Sequence, residues 1–206
     1  MNEAPTNSPL RQTGRQLLGT VLKRGPDEPD VSSRVLLTLS AFRLLIAIAL
    51  LVFFLVSTDP RVFGDRYPTL FAATIAGYLV FAALTALSLR HRWVPPVALS
   101  IAQLLVDIVA VTLMMHASGG ISSGLGGLLV VFIGVGSLVL PGQYPAIMAA
   151  LATFAVLGEQ VYSQLNDLQA TFNYPAAGIL CAIVFAMATA AQPLARRLQA
   201  SEALAR

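Results

Sequence analysis

The chain has 206 residues, of which 56% are hydrophobic and only 11% charged, with a mean hydropathy of +0.75 and a formal net charge of +3. Soluble domains carry about 25% charged residues, so this composition excludes an ordinary water-soluble domain and points to lipid. A lone cysteine, Cys181, excludes an intramolecular disulfide, and no nucleic-acid partner is expected.

In chain order, residues 1–34 are polar and contain Pro5, Pro9, Pro26 and Pro29, so they bury too little apolar surface to fold alone and read as a disordered cytoplasmic arm. A bilayer core about 30 Å thick takes roughly 20 apolar helical residues per crossing. Six such runs follow: approximately Val35–Ser57, Thr69–Leu89, Val97–Ala117, Leu125–Leu140, Ala146–Ser163 and Ala176–Ala191. The first is too long for a signal-peptide core and has no small-residue cleavage site, so it stays in the mature protein. The fourth and fifth are short and meet at the reversal Pro141-Gly142-Gln143-Tyr144-Pro145; the alternative joins them into one re-entrant unit. The fold class is therefore all-α, an integral membrane six-helix bundle over residues 35–191. Residues 192–206, rich in helix formers, read as a cytoplasmic exit helix. Within it Pro193 is either a transmission hinge or a boundary proline whose lost hydrogen bond water replaces.

Basic residues orient the bundle. With a cytoplasmic N-terminus, the inside receives Arg11, Arg15, Lys23, Arg24, Arg34, Arg90, Arg92, Arg196, Arg197 and Arg206, and the outside keeps Arg61 and Arg66. Six crossings then return the C-terminus to the cytoplasm.

Ionisable groups inside spans are costly, which singles out Arg43, Asp107 and Glu159. At about 1.5 Å per residue, Arg43 lies roughly 12 Å and Asp107 roughly 15 Å from the inner ends of their spans, so an Arg43–Asp107 pair is expected; the alternative for Arg43 is snorkelling to the headgroups. Ser100, Gln103 and Asp107 share one helical face, as packing glue or as a pathway. Glu159 is near the outer end of the fifth span, where it either faces inward or reaches interfacial water. Gly178, Ala182, Ala186 and Ala190 recur every four residues along the last span, a smooth ridge for packing within the bundle or for a dimer.

A catalyst is not expected. His91 and His116 lack metal-ligand spacing and read as interfacial residues, and there is no nucleophile elbow, so neither a metal nor a cofactor is called for. The segment HASGGISSGLGG has no lysine beside its glycines, and none of the chain's Lys or Arg lies between Arg92 and Arg196, which removes the phosphate-loop reading. Gly119, Gly120 and Gly124 instead permit a tight reversal and close backbone approach, with Ser122 or Ser123 as a cap. That loop suits contact with a protein partner, or serves only as a turn.

These features occur in a telling order: AFRLLIAIALL in the first span, LLVDIVAVTLMMHASGG in the third, then ISSGLGGLLVV, and finally QPLARRLQASEALAR. The order resembles the membrane-sensing portion of PilS-type sensor histidine kinases, over about residues 35–206. The resemblance implies a multi-pass input module of a two-component system in the bacterial inner membrane; a homodimer is expected, and a pilin transmembrane helix is the protein partner expected for the loop. It implies a PAS domain and a kinase core after the spans, through which a response regulator governs type IV pilin transcription. The sequence stops at Arg206, before any such domain, so residues 1–206 are expected to carry no enzyme activity themselves. The alternative is a small transporter or channel using Asp107 and Glu159, although the ionisable residues follow no three-plus-three repeat.

Overall fold

The computed structural model describes residues 31–57, 62–91, 96–140, 142–166 and 173–204. Most of the expected N-terminal arm lies outside them, as do Arg61, Arg92, Pro141 and Arg206. Six α-helices account for the apolar runs: α1 Val31–Val56, α2 Pro68–His91, α3 Pro96–Ala117, α4 Gly126–Val139, α5 Tyr144–Asn166 and α6 Tyr174–Leu204. A short 3-10 turn, Gly120–Ser123, joins α3 to α4.

Prolines mark four of the helix starts. Pro68 and Pro96 open α2 and α3, and Pro145 and Pro175 sit second in α5 and α6, positions where the missing N–H has no intrahelical acceptor to lose. Asn173 caps α6 by accepting a hydrogen bond from the Ala176 amide at 3.1 Å. Five of the helices are long and apolar enough to cross a membrane; α4, with 14 residues, is the exception at roughly 21 Å of rise. The shortness expected of both the fourth and fifth runs thus belongs to α4 alone, because α5 extends by two residues at its start and three at its end beyond its apolar stretch, to 23 residues.

Each helix buries a stripe spaced by three and four. On α2 it is Phe71, Ile75, Tyr78, Ala82 and Thr85; on α3 it includes Leu104, Ile108, Val111 and Met115. The opposite faces carry large apolar side chains outward, Phe154 at 74% exposed being an instance, as a lipid-facing surface requires. Half of the α3 span is buried, against 22% for α1, and α3 packs against α2, α4 and α5. It is the central helix.

Close helix packing is carried by α4 rather than by the ridge on α6. A Cβ at Gly126 would stand 2.5 Å from Leu180 Cδ2, one at Gly134 2.8 Å from Met187 Cε, and one at Gly136 2.9 Å from Leu104 Cδ2. Glycines on α4 therefore receive large side chains of α6 and α3. Gly178, Ala182, Ala186 and Ala190 are all exposed. Their ridge does not pack within the bundle because α6 turns Ala177, Val184, Ala188 and Ala191 inward instead. The helix runs unbroken through Pro193, which is exposed.

Candidate functional site

Two polar clusters stand inside the apolar frame. The first lies between α1, α2 and α3, each of which turns one or two polar residues into it from its buried stripe. Arg43 is 4% exposed and Asp107 1%, with Nη2 of the arginine 2.7 Å from Oδ2 of the aspartate. The approach is off-line, so the contact is coulombic attraction more than a directed hydrogen bond. Directed bonds surround it. Arg43 Nη1 donates to Gln103 Oε1 at 2.5 Å, Tyr78 Oη donates to Asp107 Oδ1 at 2.7 Å, and Gln103 Nε2 donates to Ser40 Oγ at 3.3 Å.

The guanidinium also lies 5.9 Å from the Phe132 ring centroid, which brings α4 to the edge of the cluster. Arg43 Nε has no acceptor among the described residues. Arg43 is therefore turned into the bundle rather than toward the headgroups, and the snorkelling alternative falls. Ser100 is buried on the same face of α3 as Gln103 and Asp107. Desolvating one guanidinium and one carboxylate costs several kcal/mol per ion, which only near-complete partnering offsets. The arrangement thus makes the relative rotation of α1, α2 and α3 a discrete matter, since sliding one helix leaves a charge without its partners.

The second cluster closes the end of the bundle where residues 62–67, before α2, and the α3–α4 turn meet α5. His116, in the last turn of α3, places Nδ1 3.2 Å from Glu159 Oε1 on α5, and Gln160 Nε2 donates to Glu159 Oε2 at 3.1 Å. Tyr67 stacks on the His116 ring at 5.5 Å between centroids, and Tyr162 meets it edge-on at 5.6 Å. The 3-10 turn lies over this group. Gly120 is buried with φ of 83°, and a Cβ there would be 3.6 Å from Gln160 Nε2 and 3.8 Å from both Glu159 carboxylate oxygens, so the left-handed backbone is what brings the turn down onto α5.

Gly119 and Gly124 also have positive φ, but a Cβ at either would meet nothing, and Ser122 is exposed. Of the two serines it is Ser123 that ties the turn, donating to the Gly120 carbonyl at 2.8 Å and accepting from the Leu125 amide at 3.4 Å. The α1–α2 connection docks on the same end. The amides of Arg66 and Tyr67 both donate to Ala117 O, at 3.1 and 3.0 Å, and the Gly64 amide donates to Ser118 Oγ at 2.9 Å.

The sequence reading took His116 as interfacial and left Glu159 free to reach water. Their side chains are 19% and 4% exposed, because the ends of α3 and α5 abut beneath the turn. Asp107 and Glu159 belong to separate clusters. Glu159 is met by His116, nine residues beyond Asp107 on α3 and so roughly 13 Å along its axis.

Both clusters lie within the stretch of chain that one family model covers. The PilS-like transmembrane-domain family matches over residues 26–205. The chain belongs to that family. As a PilS-like domain it is a multi-pass protein of the bacterial inner membrane and a membrane sensor module of the kind found in histidine kinases. The Sensor protein kinase PilS of Pseudomonas aeruginosa is 32% identical to it over 177 residues, which is 85% of this chain and 33% of that protein. The chain therefore spans about a third of the length of this relative. No solved structure matches the PilS-like chain.

Tyr78, Ser40, His116 and the two rings that meet it, Tyr67 and Tyr162, were not legible as partners. Tyr78 could have been found from its place on the buried stripe of α2, where it is the one residue carrying a hydroxyl on a ring; the others depend on helix-to-helix adjacency that no spacing within a helix reveals.

Proposed function

We propose that this PilS-like domain is the input module of a two-component sensor kinase, detecting a membrane-held or periplasmic partner and passing the signal along α6 to signalling domains outside this sequence. The relative's name supports pilus regulation, and a pilin transmembrane helix is the partner proposed for the Gly119–Gly124 loop end. Both termini are cytoplasmic, two copies associate through the outward ridge Gly178, Ala182, Ala186 and Ala190, and a response regulator engages only the kinase portion. The observation that carries the reading is α6 itself. Its 31 residues run without a break for roughly 46 Å, joining the loop end of the bundle to the opposite face and beyond.

Helical continuity makes the proposal testable by phase. In a kinase-bearing version, two residues inserted after Ala200 rotate everything that follows by roughly 200°, whereas seven restore the phase to within about 20°. Promoter output is expected to change with the two-residue insertion and return with the seven-residue one. Output indifferent to phase, or lost equally with both, removes rotation-sensitive transmission through α6.

The topology has its own check, motivated by the ten-to-two inside excess of Lys and Arg in the connections. Alkaline phosphatase fused after Gly120 or Asn173 is expected to be active, and silent after Trp93 or Arg206. Activity at Trp93 would reverse the orientation.

A further inference from the structure

We propose that His116 and Glu159 form a proton-operated latch that holds the α3–α4 turn and the α1–α2 connection against the end of α5. The inference concerns a second input to the domain and does not depend on which partner the loop end meets. Glu159 is the one carboxylate buried at this end among the described residues, and its two oxygens have different partners: Gln160, whose amide is neutral at every pH, and His116, whose charge depends on pH. A buried carboxylate facing only neutral donors is poorly compensated, whereas a protonated imidazole at 3.2 Å turns the contact into a charge-assisted ion pair.

The surroundings are specific. From the approach to α2, Tyr67 stacks on the His116 ring and Arg66 lies with its guanidinium carbon 5.7 Å from the Tyr67 ring centroid; from α5 come Glu159 and Tyr162; the 3-10 turn contributes no charged side chain. Asp65, in the same connection as Arg66, is exposed. Glu159 is thus the acidic group that meets the imidazole directly.

What the latch holds follows from the backbone. Gly120 rests on Glu159 and Gln160, and Ala117, next to His116, accepts both the Arg66 and Tyr67 amides. Protonation of the histidine fastens α3 to α5 and, through Ala117 O, fastens the α1–α2 connection to both. Loss of the proton removes the charge pair and leaves the turn held by Ser123 and by ring contacts. Protonation of the imidazole therefore tightens this end of the bundle, and its loss loosens it. The α3–α4 turn and the approach to α2, which a partner from that side of the membrane would meet, become easier to move as the imidazole loses its proton.

The test uses the full chain in lipid nanodiscs. Ring 15N signals of the two histidines, told apart with His91→Gln, are followed together with amide exchange at Arg66 and Tyr67 corrected for intrinsic rates. The His116 ring signal and the amide protection are expected to change together with pH, protection being about tenfold higher with the imidazole protonated than with it neutral. His116→Gln and Glu159→Gln, which keep hydrogen-bonding groups and lose the titration, are expected to flatten that dependence. A His116 ring signal that stays unchanged while amide protection changes with pH overturns the latch, as does protection that keeps its pH dependence in His116→Gln. Should both variants fail to fold, the wild-type ring titration and protection profile decide alone: coincident midpoints support the latch and independent ones overturn it.

Discussion

Arg43→Leu is expected to lower the stability of the folded bundle by about 3–5 kcal/mol, and Asp107→Leu by a similar amount, because either change strands the opposite charge among buried groups. Without Asp107, the Arg43 guanidinium keeps only Gln103 and the face of Phe132. Without Arg43, the aspartate keeps only Tyr78. The intact pair contributes far less than these losses, since desolvation offsets most of the attraction, and the double variant Arg43→Leu/Asp107→Leu is therefore expected to fold better than either single one. Polar contacts between membrane helices average about 0.6 kcal/mol in double-mutant cycles, with a maximum near 1.7, so a coupling above roughly 1 kcal/mol marks a charge pair rather than an ordinary hydrogen bond. Reversible unfolding in mixed micelles supplies the four stabilities. Simple additivity would mean that the two charges do not depend on each other.

Gly136→Val carries the second large expected effect. Leu104 places Cδ2 2.9 Å and Cδ1 3.1 Å from where the new Cβ would stand, and that leucine is 1% exposed, so it has no free space to turn into. Forcing extra carbons into such a contact costs about 1–3 kcal/mol, and it also displaces the neighbour of Gln103 in the charged cluster. Leu104→Ala alone is expected to be harmful too, by about 2–5 kcal/mol, through the cavity it leaves. Combined, the two changes fill and empty the same space, and the pair is expected to be milder than the sum. Gly134→Ala is the control: its obstacle is the end of Met187, flexible and 41% exposed, which can swing aside. Melting temperatures in detergent separate the cases, and equal losses for Gly136→Val and Gly134→Ala would show that α4 has slack against α3.

Where the sequence was readable, it was because a single helix carries the information. Span positions follow from length and apolarity, and Ser100, Gln103 and Asp107 could be set on one buried face from spacing alone. Equal depth suggested the Arg43–Asp107 pair, and the structure decides it against snorkelling. Features that depend on rotation between helices were less accessible. The i+4 series on α6 looks like an interface in one dimension, yet α6 turns its neighbours inward, and the close approaches use glycines of α4 that do not form so regular a series. His116 and Glu159 stand 43 residues apart, and only the abutment of α3 and α5 makes them partners.

The brevity of α4 ties this protein to its lipid in a particular way. A helix of 14 residues offers roughly 9 Å less apolar length than a bilayer core of about 30 Å, and Val131 is exposed on it. The lipids beside it must shorten, or headgroups and water must dip toward Leu125 and Leu140, at a fraction of a kcal/mol for each ångström of mismatch. Acyl-chain length and lateral tension thereby enter the balance between arrangements of the bundle, as mechanical terms that act on α4 and, through its close seat against α6, on the helix that leaves the membrane.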